Sequence, residues 1–146
     1  MTTPDDKARI LAVEDDPHIQ RLLRYLLDAR FDVTFVRSID DALEAAARRS
    51  FDLFLLDIHL KEQRTGVDLL HELRQRPASH ATPAIACTAY ALRGDRERFL
   101  AEGFCSYLEK PFVREALYET IREALTTVPA SGSPTPSVPY GQGASA

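Results

Sequence analysis

Five short apolar runs, each separated from the next by one helix-patterned segment, constrain this chain more than any other feature. The runs are Arg9 to Val13, Asp32 to Val36, Asp52 to Leu56, Ala84 to Cys87 and Ser106 to Glu109. Strands joined in turn by single helices need crossovers, and crossovers give a parallel sheet with helices on both faces. The first run is almost wholly apolar, as a strand buried on both sides should be. The segments between carry helical signals. Asp16 can cap a first helix with Pro17 at its opening position. Ile19, Leu22, Leu23, Leu26 and Leu27 follow at helical spacing. Ser38 can cap a second helix with Ala42, Leu43, Ala46 and Ala47. A third is expected from Gly66 to Arg76, with Val67, Leu70 and Leu73 inward and Pro77 ending it. A charged fourth runs from Leu92 to Glu102, where Gly103 suits a left-handed cap. A fifth starts at Pro111, with Leu117, Ile121 and Leu125 along one side.

The chain has 146 residues, which suits one domain, expected over residues 7–127. From residue 128 to Ala146 the sequence is rich in Pro, Ser and Gly and carries no charge. Such a stretch cannot bury enough surface to offset its ordering entropy, so a disordered tail rather than an output domain is expected. A docking motif around Val138-Pro139-Tyr140 rests on nothing specific. Net charge is -4 with both signs mixed, and no basic run points to nucleic acid. No apolar stretch approaches about 18 residues, so no membrane helix is expected. The first residues lack the apolar core of a signal peptide, which leaves a cytoplasmic protein as the expectation. Cys87 and Cys105 fall near opposite ends of neighbouring strands. An offset of about four residues is roughly 13 Å, beyond the reach of a disulfide, so two buried free thiols are expected.

Chemistry collects where the strands end. Glu14-Asp15-Asp16 follows the first strand, Asp57 follows the third, Thr88 follows the fourth, and Lys110 stands before Pro111 after the fifth. Ligands bind at the carboxyl edge of an open parallel sheet. Asp16 is already used as a helix cap. Glu14 and Asp15 repel each other unless a cation or protons neutralise them. Magnesium takes hard oxygen ligands of this kind; a solvated acidic turn explains the cluster equally well when it is taken alone. Asp57 adds a carboxylate that can act as a nucleophile toward phosphorus, and a divalent cation would offset the charge that such an attack builds. A hydroxyl and an ammonium can both bind phosphoryl oxygens. Each is ordinary by itself. The joint pattern on separate strand ends is harder to dismiss.

With these residues in place, the chain resembles the receiver domain of bacterial two-component response regulators. The matching stretches are Ile10-Leu11-Ala12-Val13-Glu14-Asp15-Asp16-Pro17, Asp52-Leu53-Phe54-Leu55-Leu56-Asp57, Thr88-Ala89-Tyr90 and Tyr107-Leu108-Glu109-Lys110-Pro111. The resemblance implies an α/β fold, a five-stranded parallel sheet of order 2-1-3-4-5 flanked by five helices. It implies Asp57 as phosphoacceptor, Glu14 and Asp15 as metal-binding acids, and the backbone carbonyl of His59 as a further ligand. The metal would be Mg2+, with Mn2+ as an alternative. Thr88 and Lys110 would contact the phosphoryl group, and Tyr107 would be the aromatic that turns inward as Thr88 moves. His59 and Tyr90 would set the rate of dephosphorylation, which bulky Tyr90 is expected to slow to a lifetime of many minutes.

The same resemblance implies partners. They are a histidine kinase or histidine phosphotransfer protein as donor, and a downstream protein bound on the face of the fourth helix, fifth strand and fifth helix. That face carries Arg93, Asp95, Arg96, Glu97, Glu109, Arg114, Glu115, Glu119 and Arg122, whose mixed signs would permit a two-fold dimer. One departure stands out. Lys61 occupies a position where the family usually has proline, and Gly66 lies one residue further on than usual, so the loop Lys61-Glu62-Gln63-Arg64-Thr65 is longer and more polar. Three other readings fit less well. A haloacid-dehalogenase-like phosphatase would carry an acid where His59 stands. A nucleotide-binding domain would not place Glu14-Asp15-Asp16 where phosphate must sit. A receiver-shaped docking protein that is never phosphorylated draws support only from the altered loop.

Overall fold

A computed structural model of the chain describes residues 7–89 and 91–126. Tyr90 and the Pro/Ser/Gly-rich tail lie outside the described residues. The elements alternate as the sequence pattern requires: β1 (Arg9–Val13), α1 (Pro17–Leu27), β2 (Asp32–Val36), α2 (Ile39–Arg48), β3 (Leu53–Asp57), α3 (Gly66–Arg74), β4 (Ala84–Thr88), α4 (Asp95–Glu102), β5 (Ser106–Glu109) and α5 (Arg114–Thr126). All strand pairs are parallel and the order is β2-β1-β3-β4-β5. This is the expected sheet.

Side-chain alternation divides the sheet into two cores. Leu11, Val13, Phe54, Leu56, Ala84 and Ala86 face one way and pack with α2, α3 and α4. Ile10, Ala12, Leu53, Leu55, Ile85, Cys87 and Leu108 face the other way, with α1 and α5. Both β3 and β4 are buried along their whole length, which is what central strands covered on both faces require. Among the described residues, no helix is long and apolar enough to cross a membrane.

Helix interiors follow the sequence pattern, and the ends depart from it. In α1, Leu23, Leu26 and Leu27 are buried, whereas Leu22 is 36% exposed. In α2, Ala47 is exposed and Ile39 takes a core position. Leu69 and Ala124 join the core beside the expected residues of α3 and α5. The third helix stops at Arg74, before a 3-10 turn over Pro77–Ser79. The fourth starts at Asp95 rather than Leu92, because Asp95 turns its carboxylate back onto the Leu92 N–H at 2.7 Å and Gly94 adopts φ 89°. That conformation breaks the helical run at Gly94. The fifth starts at Arg114 rather than Pro111. Phe112 is drawn into the core with Leu117 and Ile121, and the first helical turn closes from the Leu117 N–H to the Val113 carbonyl at 2.9 Å.

Both cysteines are free. Cys87 pairs in register with Leu108, so Cys105 is offset by three residues rather than four, roughly 10 Å. Cys87 is buried, and burial pushes its thiol well above the usual range. Cys105 is exposed, against the expectation that both thiols are buried.

Candidate functional site

The site is assembled by the ends of β1, β3, β4 and β5 and the loops that leave them. The Glu14 N–H still donates to the Val36 carbonyl at 3.0 Å, so the chain stays in the sheet through Glu14. Gln20 reaches back from α1 to the Glu14 and Val36 carbonyls at 3.2 and 3.4 Å. Asp16 caps α1 by accepting from the His18 N–H at 2.8 Å. Its own N–H donates to the Glu14 carboxylate at 3.1 Å. The acid run is therefore divided: Asp16 serves the helix, and Glu14 and Asp15 face the sheet edge.

Asp57 ends β3 and is only 2% exposed. Its Oδ1 accepts from the His59 N–H at 3.1 Å and from Lys110 Nζ at 3.1 Å. Lys110 also meets Glu14 Oε1 at 2.7 Å. Oxygens of Glu14, Asp15 and Asp57 all lie within 4.8 Å of one another. Burial raises the Glu14 carboxyl to about 7, against the hydrogen bond from Lys110, and the charge of Asp57 adds to the rise. Burial works against the Lys110 charge, yet the hydrogen bond to Glu14 and the charge of Asp57 outweigh it and hold Lys110 above its ordinary value. One ammonium thus does not satisfy this pocket. A hard divalent cation fits such an oxygen donor set, and the cluster can hold a metal.

The β3–α3 loop completes the rim. The Lys61 N–H donates to Asp15 Oδ2, and the His59 side chain is exposed. Gly66 opens α3 hard against β3. A Cβ there would stand 2.3 Å from the Asp57 carbonyl oxygen. The glycine is fixed by that close approach despite the extra loop residue.

Thr88 ends β4, is fully buried, and its carbonyl accepts the Lys110 N–H at 2.8 Å. Tyr107 lies opposite Ala86 in the β4–β5 register. With a side-chain period of two, Thr88 shares that face with Ala86 and Tyr107. Tyr107 is half-buried against Phe99 of α4, ring centroids 6.0 Å apart.

The family model for the response regulator receiver domain matches residues 10–122. The chain belongs to this family. The receiver domain is 34% identical over 124 residues to the signal transduction histidine-protein kinase BarA of Escherichia coli, a match covering 84% of this chain and 13% of the kinase. It therefore spans a small part of that relative. It is 33% identical over 117 residues to the polar-differentiation response regulator DivK of Brucella ovis, covering 80% of this chain and 94% of DivK. Among solved structures, it is similar to the receiver domain of the sensor histidine kinase PA1611 from Pseudomonas aeruginosa. That match has a TM-score of 0.75 and 34% identity, covering 83% of this chain and 99% of the other. The PA1611 structure has a magnesium ion coordinated in its active site cleft.

The structure brings Glu14, Asp15, Asp57 and Lys110 together, with Thr88 and His59 on adjoining strand-end positions. Tyr90 falls outside the described residues. The charged face is redrawn. Asp95 is buried, its carboxylate held by Arg98 at 2.9 Å and by the Leu92 N–H. Glu115, Glu119 and Arg122 line a cavity of about 470 Å³ together with Arg30 and Phe31 beyond the end of α1. Arg114 lies 5.9 Å over the Tyr25 ring of α1. Arg114 thus lies beside α1, Glu115, Glu119 and Arg122 border the segment that follows it, and Thr120 and Glu123 line a cavity with Arg96 of α4. Sequence reasoning also missed Gln20 and the Lys61 N–H, because neither a glutamine at helical spacing nor a backbone donor leaves a signal in a linear pattern.

Proposed function

We propose that this receiver domain takes a phosphoryl group from a phosphohistidine onto Asp57 and thereby changes which proteins it binds. The observation that carries the reading is the Asp57 carboxylate, buried at a strand end, 3.1 Å from Lys110 and clustered with Glu14 and Asp15. An Asp57 oxygen would attack phosphorus while the P–N bond of the donor breaks and its electron pair returns to the imidazole. Glu14 and Asp15 would hold Mg2+, or Mn2+ in its place, with the His59 carbonyl as a further ligand. The bound ion would offset charge on the transferring group. Lys110 would follow the new oxygens from its place between the two carboxylates. Thr88 would bind one of them with its hydroxyl.

Thr88 and Tyr107 share one sheet face, which supports Tyr107 as the side chain that responds when Thr88 moves. Phe99 beside it would carry the change to α4. The donor would be a histidine kinase or phosphotransfer protein, and the output a protein that reads the α4–β5–α5 surface. Residues 7–127 would form the whole phosphorylatable unit. His59 and Tyr90 would govern water at the phosphoryl group and keep its loss slow.

The test is intact-mass spectrometry after incubation with Mg2+ and acetyl phosphate. Wild type should gain one phosphoryl group, only with the metal, and Asp57→Asn should gain none. A wild-type chain that gains nothing and does not bind Mg2+ would leave a docking protein of receiver shape. An adduct that persists in Asp57→Asn would move the acceptor elsewhere.

A further inference from the structure

The lengthened β3–α3 loop is tied down by contacts of its own. Glu62 Oε2 accepts from the Ile39 N–H at 3.1 Å, at the start of α2. Arg64 meets Asp40 of α2 at 2.8 Å, and stands 3.8 Å from both Glu62 and Glu72. Ile39 is fully buried and α2 is separately capped by Ser38, which accepts from the Asp41 N–H. Glu62 therefore adds a second acceptor to the α2 N-terminus, where a carboxylate is favoured. One residue before Glu62, the Lys61 N–H is bonded to Asp15. The chain thus runs from an anchored α2 terminus, through one peptide unit, to the Asp15 carboxylate, a member of the acid cluster.

We infer that Glu62 and Arg64 are positioning residues for cation binding. They hold the Lys61 N–H against one Asp15 oxygen, which aims the other at Glu14 and Asp57. A loop lengthened by a residue has more conformations, and ordering it before the ion arrives spares that entropy at binding. The inference rests on the metal-dependent reading of the site proposed above.

Charge alone predicts the opposite result for one substitution, and that separates the two explanations. Removing the Arg64 cation should strengthen Mg2+ binding if only long-range electrostatics act. It should weaken binding if Arg64 holds the loop. The measurement is the Mg2+ dissociation constant of the full chain by calorimetry, with melting midpoints as a check on the fold. Arg64→Ala should weaken binding about two- to five-fold. Glu62→Ala should weaken it about five-fold or more. Neither should add a further loss in an Asp15→Asn background, because both act through Asp15. Affinity unchanged or improved in Arg64→Ala overturns the inference while leaving the phosphoacceptor reading intact. Full additivity with Asp15→Asn overturns it as well. A wild-type chain that does not bind Mg2+ removes both.

Discussion

Two places in this domain set a cation among carboxylates, and they are built in opposite ways. Lys110 lies between Glu14 and Asp57 with 8% of its side chain exposed. Arg64 lies among Asp40, Glu62 and Glu72 with 39% exposed. The first group is mounted on strand ends whose backbones are fixed by the ladder. Its charges are stripped of water, so their mismatch cannot relax. The second group is mounted on a loop and helix termini. Water screens each of its pairs, and such pairs contribute little stability individually. The same residue types therefore do different work. Burial turns one set into a charged pocket that calls for a further cation. Exposure turns the other into a tether that sets where a loop lies.

The sharpest way to break this contrast is to remove the buried cation. Lys110→Met leaves Glu14 and Asp57 facing each other, both buried and without the cation between them. A broken buried ion pair costs about 3 kcal/mol or more. The loss should show in urea unfolding at pH 8, and should shrink at pH 6, where a protonated Glu14 ends the repulsion. Acceptance of phosphate from acetyl phosphate should fall at least ten-fold. If stability at pH 8 is unchanged, water reaches the pocket and the two regions are not physically distinct.

Gly66→Ala tests where the structure gives way. The new Cβ would meet the Asp57 carbonyl at 2.3 Å, a backbone atom with no rotamer to change. Either β3 or the loop must move. Overpacking of this kind costs about 1–3 kcal/mol. The loop is held by exposed contacts and β3 by ladders on both sides, so the loop should yield. Stability by urea unfolding should then drop by that amount while phosphorylation falls less than in Lys110→Met. A loss of phosphorylation as large as that of Lys110→Met would show that the strand moved instead.

The two regions also differed in how far the sequence revealed them. Glu14, Asp15, Asp57, Thr88 and Lys110 stand next to apolar runs, and the parallel order places those run ends on one edge. A linear pattern therefore predicted their meeting. The strands and helix interiors were legible for the same reason, since burial imposes a period, whereas the order of the sheet came from the family resemblance and not from any period. The tether was not legible. Glu62, Arg64 and Asp40 are ordinary surface charges until the loop conformation brings them together, and no period governs a loop. Helix ends failed in a related way. Asp95 reads as a charge on a helix face, yet its side chain turns back to the Leu92 N–H and delays the helix. Phe112 reads as part of the last helix, yet the core takes it first. Glu115, Glu119 and Arg122 border Arg30 and Phe31 beyond α1, a placement the pattern left open, because an exposed charge on an amphipathic helix does not by itself say which neighbour it lies beside.

The smallest expected effect is a pH dependence confined to the buried set. Glu14 is raised from 4.5 to about 7 when the chain folds. Between those values the folded protein keeps a proton that the unfolded chain has released. Stability contributed at this site therefore falls as pH rises from 4.5 to about 7, then levels off. Lys110, raised by its partners, stays charged throughout and adds no slope in this window. Urea midpoints of wild type and Glu14→Gln, measured from pH 4.5 to 8, isolate the effect by difference, since contributions from groups remote from Glu14 cancel. Wild type should lose stability relative to Glu14→Gln across that range. Mg2+ affinity should rise from pH 6 to 8, because the ion competes with the Glu14 proton. Arg64→Ala should keep the wild-type slope, and its own effect should fade with added salt as exposed charges are screened. If Glu14→Gln keeps the wild-type slope, Glu14 is not the group that titrates, and the buried set would be as well solvated as the exposed one.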